Sequence, residues 1–394
     1  MNIRLAIVAS HPIQHFISLY RALAGHENVT LKVIFSTDKG LRSYFDKQMN
    51  TQISWKMDLS SGYDHIFLRE IDDEGRETRK RGLMSEIRKF SPDVIMIYGY
   101  VSKQSMAIIA KNLFSKSKLI MISDSERTFR IPSLREKIKK LMIPVVYRFM
   151  NGLISVGDRN EDYYNYYGVK NNKIFRSPFT IDELLFRDFS KKRDLSRKKL
   201  CDSLSIPIES FIVLYVGKLY AGKRPDDLLE ALTKIAVGNQ NRPVHIVFAG
   251  DGEQMAELSA KAAVERLNAH FLGFVNVDLL PAIYSGVDAL AVTSRVDRHP
   301  LVCSEAACIG LPMIVSDHIG AIGPTDIARP GENALVFPCG DVAKLANAII
   351  ELANDDAMTQ RMSARSREIF DELDLKRSVA GIVEALNAVT ARSN

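Results

Sequence analysis

Apolar residues along this chain fall into short continuous runs, separated by longer stretches in which apolar positions recur every three or four residues. Short runs bounded by polar, Gly or Pro residues are typical of buried strands, and the longer pattern is typical of amphipathic helices. The first half contains the predicted strands Arg4–Ala9, Thr30–Ser36, Val94–Tyr98, Leu119–Ser123 and Gly152–Val156. The second half contains Phe211–Val216, Val244–Ala249, Ala289–Thr293 and Met313–Ser316. Strands that alternate with helices predict parallel sheets covered on both faces, so both halves are predicted to be doubly wound α/β domains.

The predicted helices lie between these strands and after the last of them. Along the chain they are Ile17–Ala24, Leu83–Phe90, Leu134–Met150, Asp226–Ile235, Gln254–Arg266, Val302–Ile309, Ala357–Phe370 and Lys376–Val389. The charged stretch Arg187–Lys199 is typical of a linker or an exposed helix between domains. Because 394 residues exceed the usual size of one domain, we expect an N-terminal domain over 1–190, a C-terminal domain over 191–372 and a final helix in 373–394 that packs back toward the N-terminal domain.

Targeting signals and metal-ligand spacings are not apparent in the sequence. The opening MNIRLAIVAS is too short for a signal-peptide core, and no apolar run approaches the roughly 18–20 residues of a membrane span. The four cysteines have no CxxC spacing and no accompanying His cluster. We therefore expect reduced thiols, no metal site and a cytoplasmic protein.

Charge is distributed unequally between the two halves. Residues 1–200 contain 36 Lys and Arg against 22 Asp and Glu, and residues 201–394 contain 17 against 25, so the halves carry +14 and −8. A basic surface often meets phosphate, on nucleic acid or on an anionic membrane, although a solvated lysine-rich face explains it equally. The interleaved cations and apolar residues of 127–148 fit either a helix at an anionic membrane or a helix with one solvated face.

A basic loop follows the first strand of the second half. Gly217 ends that strand, and Lys218 and Lys223 come directly after it. A glycine allows the backbone to approach a ligand, and two cations on one loop can hold a diphosphate. Two lysines on a loop are also common surface features, so the loop needs a partner to define a site.

The segment Ser294–Asp317 supplies that partner. Asp297 lies in a loop, Pro300 suits a helix start, and Leu301 and Val302 offer free backbone N–H groups to a phosphate. Glu305 comes one turn later, where its carboxylate can accept hydrogen bonds from two sugar hydroxyls, although an acidic residue at a helix start also simply favours the dipole. Together with the lysines, this order indicates a nucleotide site at the carboxyl ends of the strands.

Two further glycine segments lie beside these loops in the predicted sheet. Phe248–Gly252 follows one strand, and Phe271–Val275, with Gly273 inside it, leads toward a helix whose backbone can face a base. GDG is too short for a dinucleotide fingerprint, and no GxGxxG follows the first strand of the chain. The sequence therefore argues against a dehydrogenase.

Five ordered motifs carry a family resemblance. VGKLYAGKRPDDLLEAL, FAGDG, LGFV, DRHPLVCSEAACIGLPMIVSD and GENALVFPCGDVAKLANAI, over 216–352, resemble the C-terminal domain of the retaining glycosyltransferases of family 4. The resemblance implies the GT-B fold: two doubly wound Rossmann-like domains with the active site in the cleft between them. It also implies transfer of a sugar from a nucleotide-diphosphate sugar with retained anomeric configuration, usually without a metal or other cofactor.

The resemblance assigns roles position by position. Glu305 matches the acid that holds the donor ribose, Asp297 the acid that faces the donor sugar, and Lys218 and Lys223 the basic pair that neutralises the diphosphate as it leaves. The remaining expected donor contacts are Gly217, Gly273, Val275, His299, Pro300, Leu301 and Val302. The chain departs from the family where Asp297 is one methylene shorter than Glu and where His299 and Pro300 replace a small, Gly-containing stretch.

The acceptor side is expected in the N-terminal half. His11, Gln14 and His15 follow the first strand, in place of the family's Gly-Gly turn, and Tyr98 stands where many members have a His. We expect His15 or His11 to touch substrate, with His15 as the catalytic candidate, and Gln14, Tyr98 and Asp124 to contact acceptor. A structural His and a helix cap before Ile131–Pro132 are the alternatives for the histidines and for Asp124.

The sequence thus predicts a glycosyltransferase of the hexosyltransferase type, acting on a glycan or lipid-linked acceptor of the cell envelope at the inner face of the membrane, with no nucleic-acid partner. Two other functions stay open. A nucleotide-sugar epimerase of the same architecture would turn over donor without acceptor, and a non-catalytic nucleotide-sugar-binding protein would need the donor site only for affinity.

Overall fold

A computed structural model of the protein describes residues 2–46, 51–53, 57–71, 76–112, 115–127, 134–236 and 242–391. The chain divides into two compact α/β units. The first unit comprises residues 1–42, 57–181 and 373–394, and the second comprises 43–56 and 182–372.

Ten strands are described in the first 181 residues. They are β1 Ile3–Ala9, β2 Val29–Thr37, β3 Tyr44–Asp46, β4 Thr51–Ile53, β5 His65–Ile71, β6 Glu77–Arg79, β7 Val94–Tyr98, β8 Lys118–Ile122, β9 Gly152–Ser155 and β10 Ile174–Arg176. Eight of these described strands form the sheet of the first unit in the order β10-β9-β8-β7-β1-β2-β5-β6. Every pairing in it is parallel except that of β5 with β6.

The helices of the first unit alternate with its strands. They are α1 Gln14–Ala24, α2 Leu83–Phe90, α3 Lys103–Asn112, α4 Leu134–Arg148, α5 Asp158–Tyr166 and a 3-10 turn at Asn171–Lys173. Leu5, Ile7 and Ile97 on the central strands are fully buried, as expected for a parallel sheet covered on both faces. The central strand β1 pairs with β2 on one side and β7 on the other.

The second unit contains a six-stranded sheet in its described residues, all parallel, in the order β13-β12-β11-β14-β15-β16. Its strands are β11 Phe211–Val216, β12 Val244–Ala249, β13 Ala269–Phe271, β14 Ala289–Val292, β15 Met313–Ser316 and β16 Ala334–Phe337. Its helices are α6 Glu183–Ser190, α7 Arg193–Leu204, α8 Pro225–Ala236, α9 Met255–Val264, α10 Leu280–Ser285, α11 Leu301–Ile309, α12 Val342–Asn354 and α13 Asp356–Glu372. The hairpin of β3 and β4 also belongs to this unit.

The predicted fold class is confirmed, since both units are Rossmann-like α/β layers. The charged stretch Arg187–Lys199 is no linker, because it lies in α6 and α7 of the second unit. There Arg193 and Arg197 contact the carboxylate of Asp288 at 3.0 and 2.9 Å. The charges that suggested an exposed connection thus fix α7 to the residue that precedes β14, and the units divide at Ile181 and Asp182.

The last described helix belongs to the first unit. Helix α14, Leu375–Ala391, contacts α1, β9 and β10. Ser378 Oγ donates a hydrogen bond to the carbonyl of Pro178 at 2.7 Å. A Cβ atom on Gly381 would lie 1.8 Å from the carbonyl oxygen of Arg176, so this helix can lie against β10 only with glycine at that position.

We therefore expect Gly381→Ala to lower the free energy of unfolding by about 2 kcal/mol, because overpacking outweighs the gain in helix propensity. Gly25→Ala is the control, since its new methyl would meet atoms no closer than 3.6 Å. Denaturant unfolding of both variants measures the difference. Equal stabilities would contradict the close approach of α14.

Candidate active site

The candidate donor residues gather where the strand order of the second sheet reverses. The sheet grows outward from β11 in one direction through β12 and in the other through β14. In open α/β sheets, ligands bind beyond the carboxyl ends of the strands at such a reversal, because the two outgoing loops separate there. Gly217 and Lys218 follow β11, and the loop to Asp297 follows β14.

Glycines hold the loop after β11 against the loop after β12. A Cβ atom on Gly250 would lie 1.8 Å from the carbonyl oxygen of Gly217, and one on Gly252 would lie 2.3 Å from that of Leu219. The backbones are joined here, since Gly217 N donates to Ala249 O at 3.1 Å. The FAGDG segment therefore packs the neighbouring loop, and its glycines are there for close backbone approach.

The third glycine segment continues this arrangement. Gly250 N donates to the carbonyl of Gly273 at 2.8 Å, so the ends of β11, β12 and β13 are linked in series. Gly273 has φ 67°, and a Cβ atom added to it would meet no atom within 4 Å. Val275, two positions later, is partly exposed. The predicted base-side residues thus lie at the same edge as the predicted diphosphate loop.

Each candidate lysine contacts a carboxylate. Lys223 Nζ forms an ion pair with Asp297, and Lys218 Nζ lies 3.1 and 2.9 Å from the two carboxylate oxygens of Asp46. The structure therefore brings Lys223 and Asp297 together as the sequence indicated. Asp46, on the β3–β4 hairpin, was not foreseen, since it is separated from Lys218 by 172 positions.

Backbone hydrogen bonds fix the Asp297 loop to the lysine loop. Arg295 N donates to Gly222 O at 2.9 Å, and Thr293 Oγ1 donates to Lys223 O at 2.8 Å. Gly320 N donates to the carbonyl of Asp297 at 2.7 Å. Because these hydrogen bonds hold the backbone on both sides, they fix the position from which the Asp297 side chain extends.

Helix α11 begins directly after Pro300, which has an extended backbone with φ −68° and ψ 118°. Among the described residues no side chain caps this helix start. The N–H groups of Leu301 and Val302 therefore point out of the first turn, with the positive end of the helix dipole behind them. His299 is buried, and its Nε2 lies 3.1 Å from Asp326 Oδ1, so this contact holds the loop before α11 to Asp326.

Glu305 projects from the second turn of α11. Tyr284 OH donates a hydrogen bond to its carboxylate at 2.7 Å, which orients it. Desolvation raises the pKa of Glu305 to about 7, although the hydrogen bond from Tyr284 acts in the opposite direction. A carboxylate held this way can accept hydrogen bonds from paired hydroxyl groups. Tyr284 itself was missed, because a tyrosine at the end of a short helix carries no motif.

The histidines of the first unit follow β1 at the corresponding reversal of its own sheet. His15 packs against the rings of Phe16 and Phe179, with centroids 4.1 and 5.4 Å away, and desolvation lowers its pKa to about 4. Desolvation and the charge of Lys39 also lower the pKa of His11. His11 Nδ1 lies 2.9 Å from Ser10 Oγ. Both imidazoles are therefore neutral near pH 7.

The other candidates of this unit differ in how they are held. The buried Oε1 of Gln14 has no hydrogen-bond partner within the described residues. Tyr98 OH lies 3.0 Å from Tyr20 OH, and burial raises the pKa of Tyr98. Asp124 is partly exposed just beyond β8. The alternative for Asp124, a helix cap before Ile131–Pro132, lies outside the described residues.

The two sheets and these loop positions define an α/β protein of the GT-B class. Residues 196–369 match the family described as Glycosyl transferases group 1. The fold resembles that of HepE from Anabaena, solved in complex with UDP, with a TM-score of 0.72 and 16% identity over 98% of this chain and 100% of HepE. This likeness concerns the fold.

Curated relatives of this chain are named as glycosyltransferases. D-inositol 3-phosphate glycosyltransferase of Corynebacterium aurimucosum is 25% identical over 213 residues, which cover 52% of this chain and 48% of the relative. The lipopolysaccharide core biosynthesis glycosyltransferase LpsD of Rhizobium meliloti is 25% identical over 321 residues, 80% of this chain and 81% of LpsD. The chain spans about half the length of the first curated relatives it matches.

Neither a metal cluster nor a membrane-spanning helix is present among the described residues. No group of three or more His, Cys, Asp or Glu there is placed to hold a metal ion. No helix within those ranges combines the length and the hydrophobicity needed to cross a bilayer.

The pKa of Glu305 makes stability depend on pH. Because the folded pKa of about 7 exceeds the ordinary value of 4.5, the folded state prefers the neutral acid. Its stabilising effect is complete below pH 4.5 and is lost as pH rises through 7. We expect the free energy of unfolding, relative to Glu305→Gln, to fall by about 2 kcal/mol between pH 5.5 and 8. Denaturant titrations at both pH values measure this, and a constant difference would contradict it.

Proposed function

We propose that the protein transfers a sugar from a nucleotide-diphosphate sugar to an acceptor with retention of anomeric configuration. The observation that carries this proposal is the convergence of Lys218, Lys223, the start of α11 and Glu305 at one edge of the second sheet. Two ammonium groups and an uncapped helix start suit a diphosphate, and a partly buried carboxylate one turn away suits a ribose.

Each group has a defined task in the transfer. The lysines and the N–H groups of Leu301 and Val302 bind the diphosphate and stabilise the charge that develops as it leaves. Glu305 accepts hydrogen bonds from the ribose, and Asp297 orients the donor sugar. The bond between the anomeric carbon and the phosphate oxygen breaks, a bond to the acceptor oxygen forms on the same face, and the acceptor proton goes to the leaving phosphate. The lysine charges serve where other transferases use a metal.

We assign the acceptor to the glycan or lipid-linked class. LpsD acts in lipopolysaccharide core biosynthesis by its name, and it aligns along most of this chain. Gln14, with its unpartnered Oε1, and the neutral His11 and His15 offer hydrogen-bonding groups of the kind that sugar hydroxyls use. His15 is the first of these to test for a role in transfer.

The surface of helix α4 supports the proposal that the acceptor lies at a membrane. One of its faces is buried through Ile143 and Tyr147. Another leaves apolar side chains largely exposed, and these are Leu134, Ile138, Leu141, Met142 and Val145. The helix contains five Lys and Arg and a single Glu. Apolar side chains beside cations match the interface of an anionic bilayer, so we place the enzyme at the cytoplasmic face of the membrane.

Donor transfer is tested with Lys223→Ala, with the exposed Lys234→Ala of α8 as the matched control. Because Lys223 stabilises the leaving diphosphate, we expect its loss to lower kcat/KM at least about a hundredfold, and the control to change it little. The assay supplies uridine, guanosine and adenosine diphosphate sugars with and without cell-envelope lipids, and product analysis reads the anomeric configuration.

Other outcomes of that assay identify the other functions. Isomerised donor without acceptor would indicate an epimerase. Donor binding without turnover, detected as a raised melting temperature, would indicate a nucleotide-sugar-binding protein. An inverted product, or equal activity of Lys223→Ala and the wild type, would overturn the proposed mechanism.

Membrane contact is tested with the double variant Ile138→Asp and Leu141→Asp. Because two apolar side chains would no longer enter the interface, we expect binding to vesicles of phosphatidylglycerol and phosphatidylcholine to fall at least about tenfold. Val264→Asp, which replaces an exposed apolar residue of the second unit, is the control. Equal cosedimentation of both variants would refute the role of α4.

A further inference from the structure

The contact between Lys218 and Asp46 lies inside the proposed diphosphate site. Lys218 Nζ contacts both carboxylate oxygens of Asp46, at 2.9 and 3.1 Å. The side chains are 31% and 18% exposed, so the pair is largely shielded from water. An ammonium and a carboxylate in such surroundings attract each other more strongly than an exposed pair does.

Asp46 is positioned by an element of its own. It ends β3, whose antiparallel pairing with β4 aligns Asp46 with Thr51. The hairpin belongs to the second unit, whereas the chain before Ser43 and after Lys56 belongs to the first. Asp46 is therefore held at Lys218 by contacts of the hairpin, and it is not part of the loops that follow the strands of the second sheet.

A carboxylate on Lys218 has the chemistry of a phosphate group. Both present anionic oxygens that accept hydrogen bonds from an ammonium, which has three donors. A diphosphate brought to Lys218 meets a carboxylate already using those donors and a like charge beside it. The donor can reach Lys218 fully only if Asp46 moves away from it.

The second lysine differs in this respect. Lys223 pairs with Asp297, whose loop is fixed to the lysine loop through Arg295 and Gly222. That carboxylate lies within the site and has its own expected task toward the donor sugar. Asp46 comes from a separate element and has no expected contact with the donor.

We propose that Asp46 is an internal competitor of the donor diphosphate, which occupies Lys218 in the unliganded protein and is displaced when donor binds. This inference rests on the proposed function, since it takes Lys218 as a diphosphate ligand. The hairpin thus keeps the lysine ordered and protects it from inorganic phosphate and other small anions. A nucleotide displaces Asp46 because its base and ribose supply additional contacts.

The test compares wild type and Asp46→Asn by calorimetric titration with uridine, guanosine and adenosine diphosphates and with the corresponding nucleosides. Asparagine keeps the size of the side chain and removes its charge. We expect the dissociation constant of the preferred nucleoside diphosphate to fall roughly threefold to tenfold, and that of inorganic phosphate to fall as well. The nucleoside should bind both proteins equally, because it does not reach Lys218.

Two further variants separate the causes. Asp64→Asn removes a carboxylate that contacts Lys32 at 3.2 Å in the first unit, and it should leave nucleotide affinity unchanged. When Lys218 is replaced by Met, Asp46→Asn should change the diphosphate affinity no more than Asp64→Asn does. Asp46→Ser repeats the test if the asparagine variant unfolds at a lower temperature than wild type.

The outcomes distinguish this inference from the proposed function. If the wild type binds a nucleoside diphosphate and Asp46→Asn binds it equally or more weakly, Asp46 is no competitor and the inference is overturned. If neither protein binds any of the three diphosphates, the proposed donor site is wrong as well. A gain in affinity that persists with Lys218→Met would also overturn the inference, because the competition would then not act through Lys218.

Discussion

Close backbone contact between successive strand ends is the constraint on which the second unit depends. Gly250 lies so near the carbonyl of Gly217 that any Cβ atom would overlap it, and its amide is bonded to Gly273. These contacts bring the loops after β11, β12 and β13 to one edge of the sheet. The basic loop and the segment around Gly273 therefore lie at the same edge of the sheet.

Ion pairs determine which charged groups at this edge of the second sheet already contact one another. Positive charge at the end of β11 is matched by Asp297 and Asp46, and the carboxyl group of Glu305 is largely desolvated beside Tyr284. An anion that binds here would replace carboxylates as partners of the lysine ammonium groups. Its affinity would therefore depend on the ion pairs that break as well as on the contacts that form. Under the proposed function, such an arrangement would favour ligands with several points of contact over simple anions.

Local patterns predicted most of the fold. Apolar runs located the central strands because parallel strands buried on both faces contain few polar residues. The strands β3, β4, β5, β6, β10, β13 and β16 were missed. Most of them have only three or four residues and carry little pattern, and the seven residues of β5 include polar positions, so they form no continuous apolar run. The linker alternative for Arg187–Lys199 was wrong, because Arg193 and Arg197 pair with Asp288, a residue about ninety positions away. The positions of the basic loop, Asp297 and Pro300 could be predicted because each follows a strand or precedes a helix, where local sequence specifies position.

By itself, the sequence determined the two α/β units, the order of the loops and which residues are candidates for a nucleotide site, because these follow from hydrophobic period and from glycine or proline at turns. Only the tertiary structure decided which partners those residues have. It placed Tyr284 on Glu305 and Asp46 on Lys218. Such contacts join positions far apart in the chain, and their geometry depends on how helices and sheets pack, which no local pattern records.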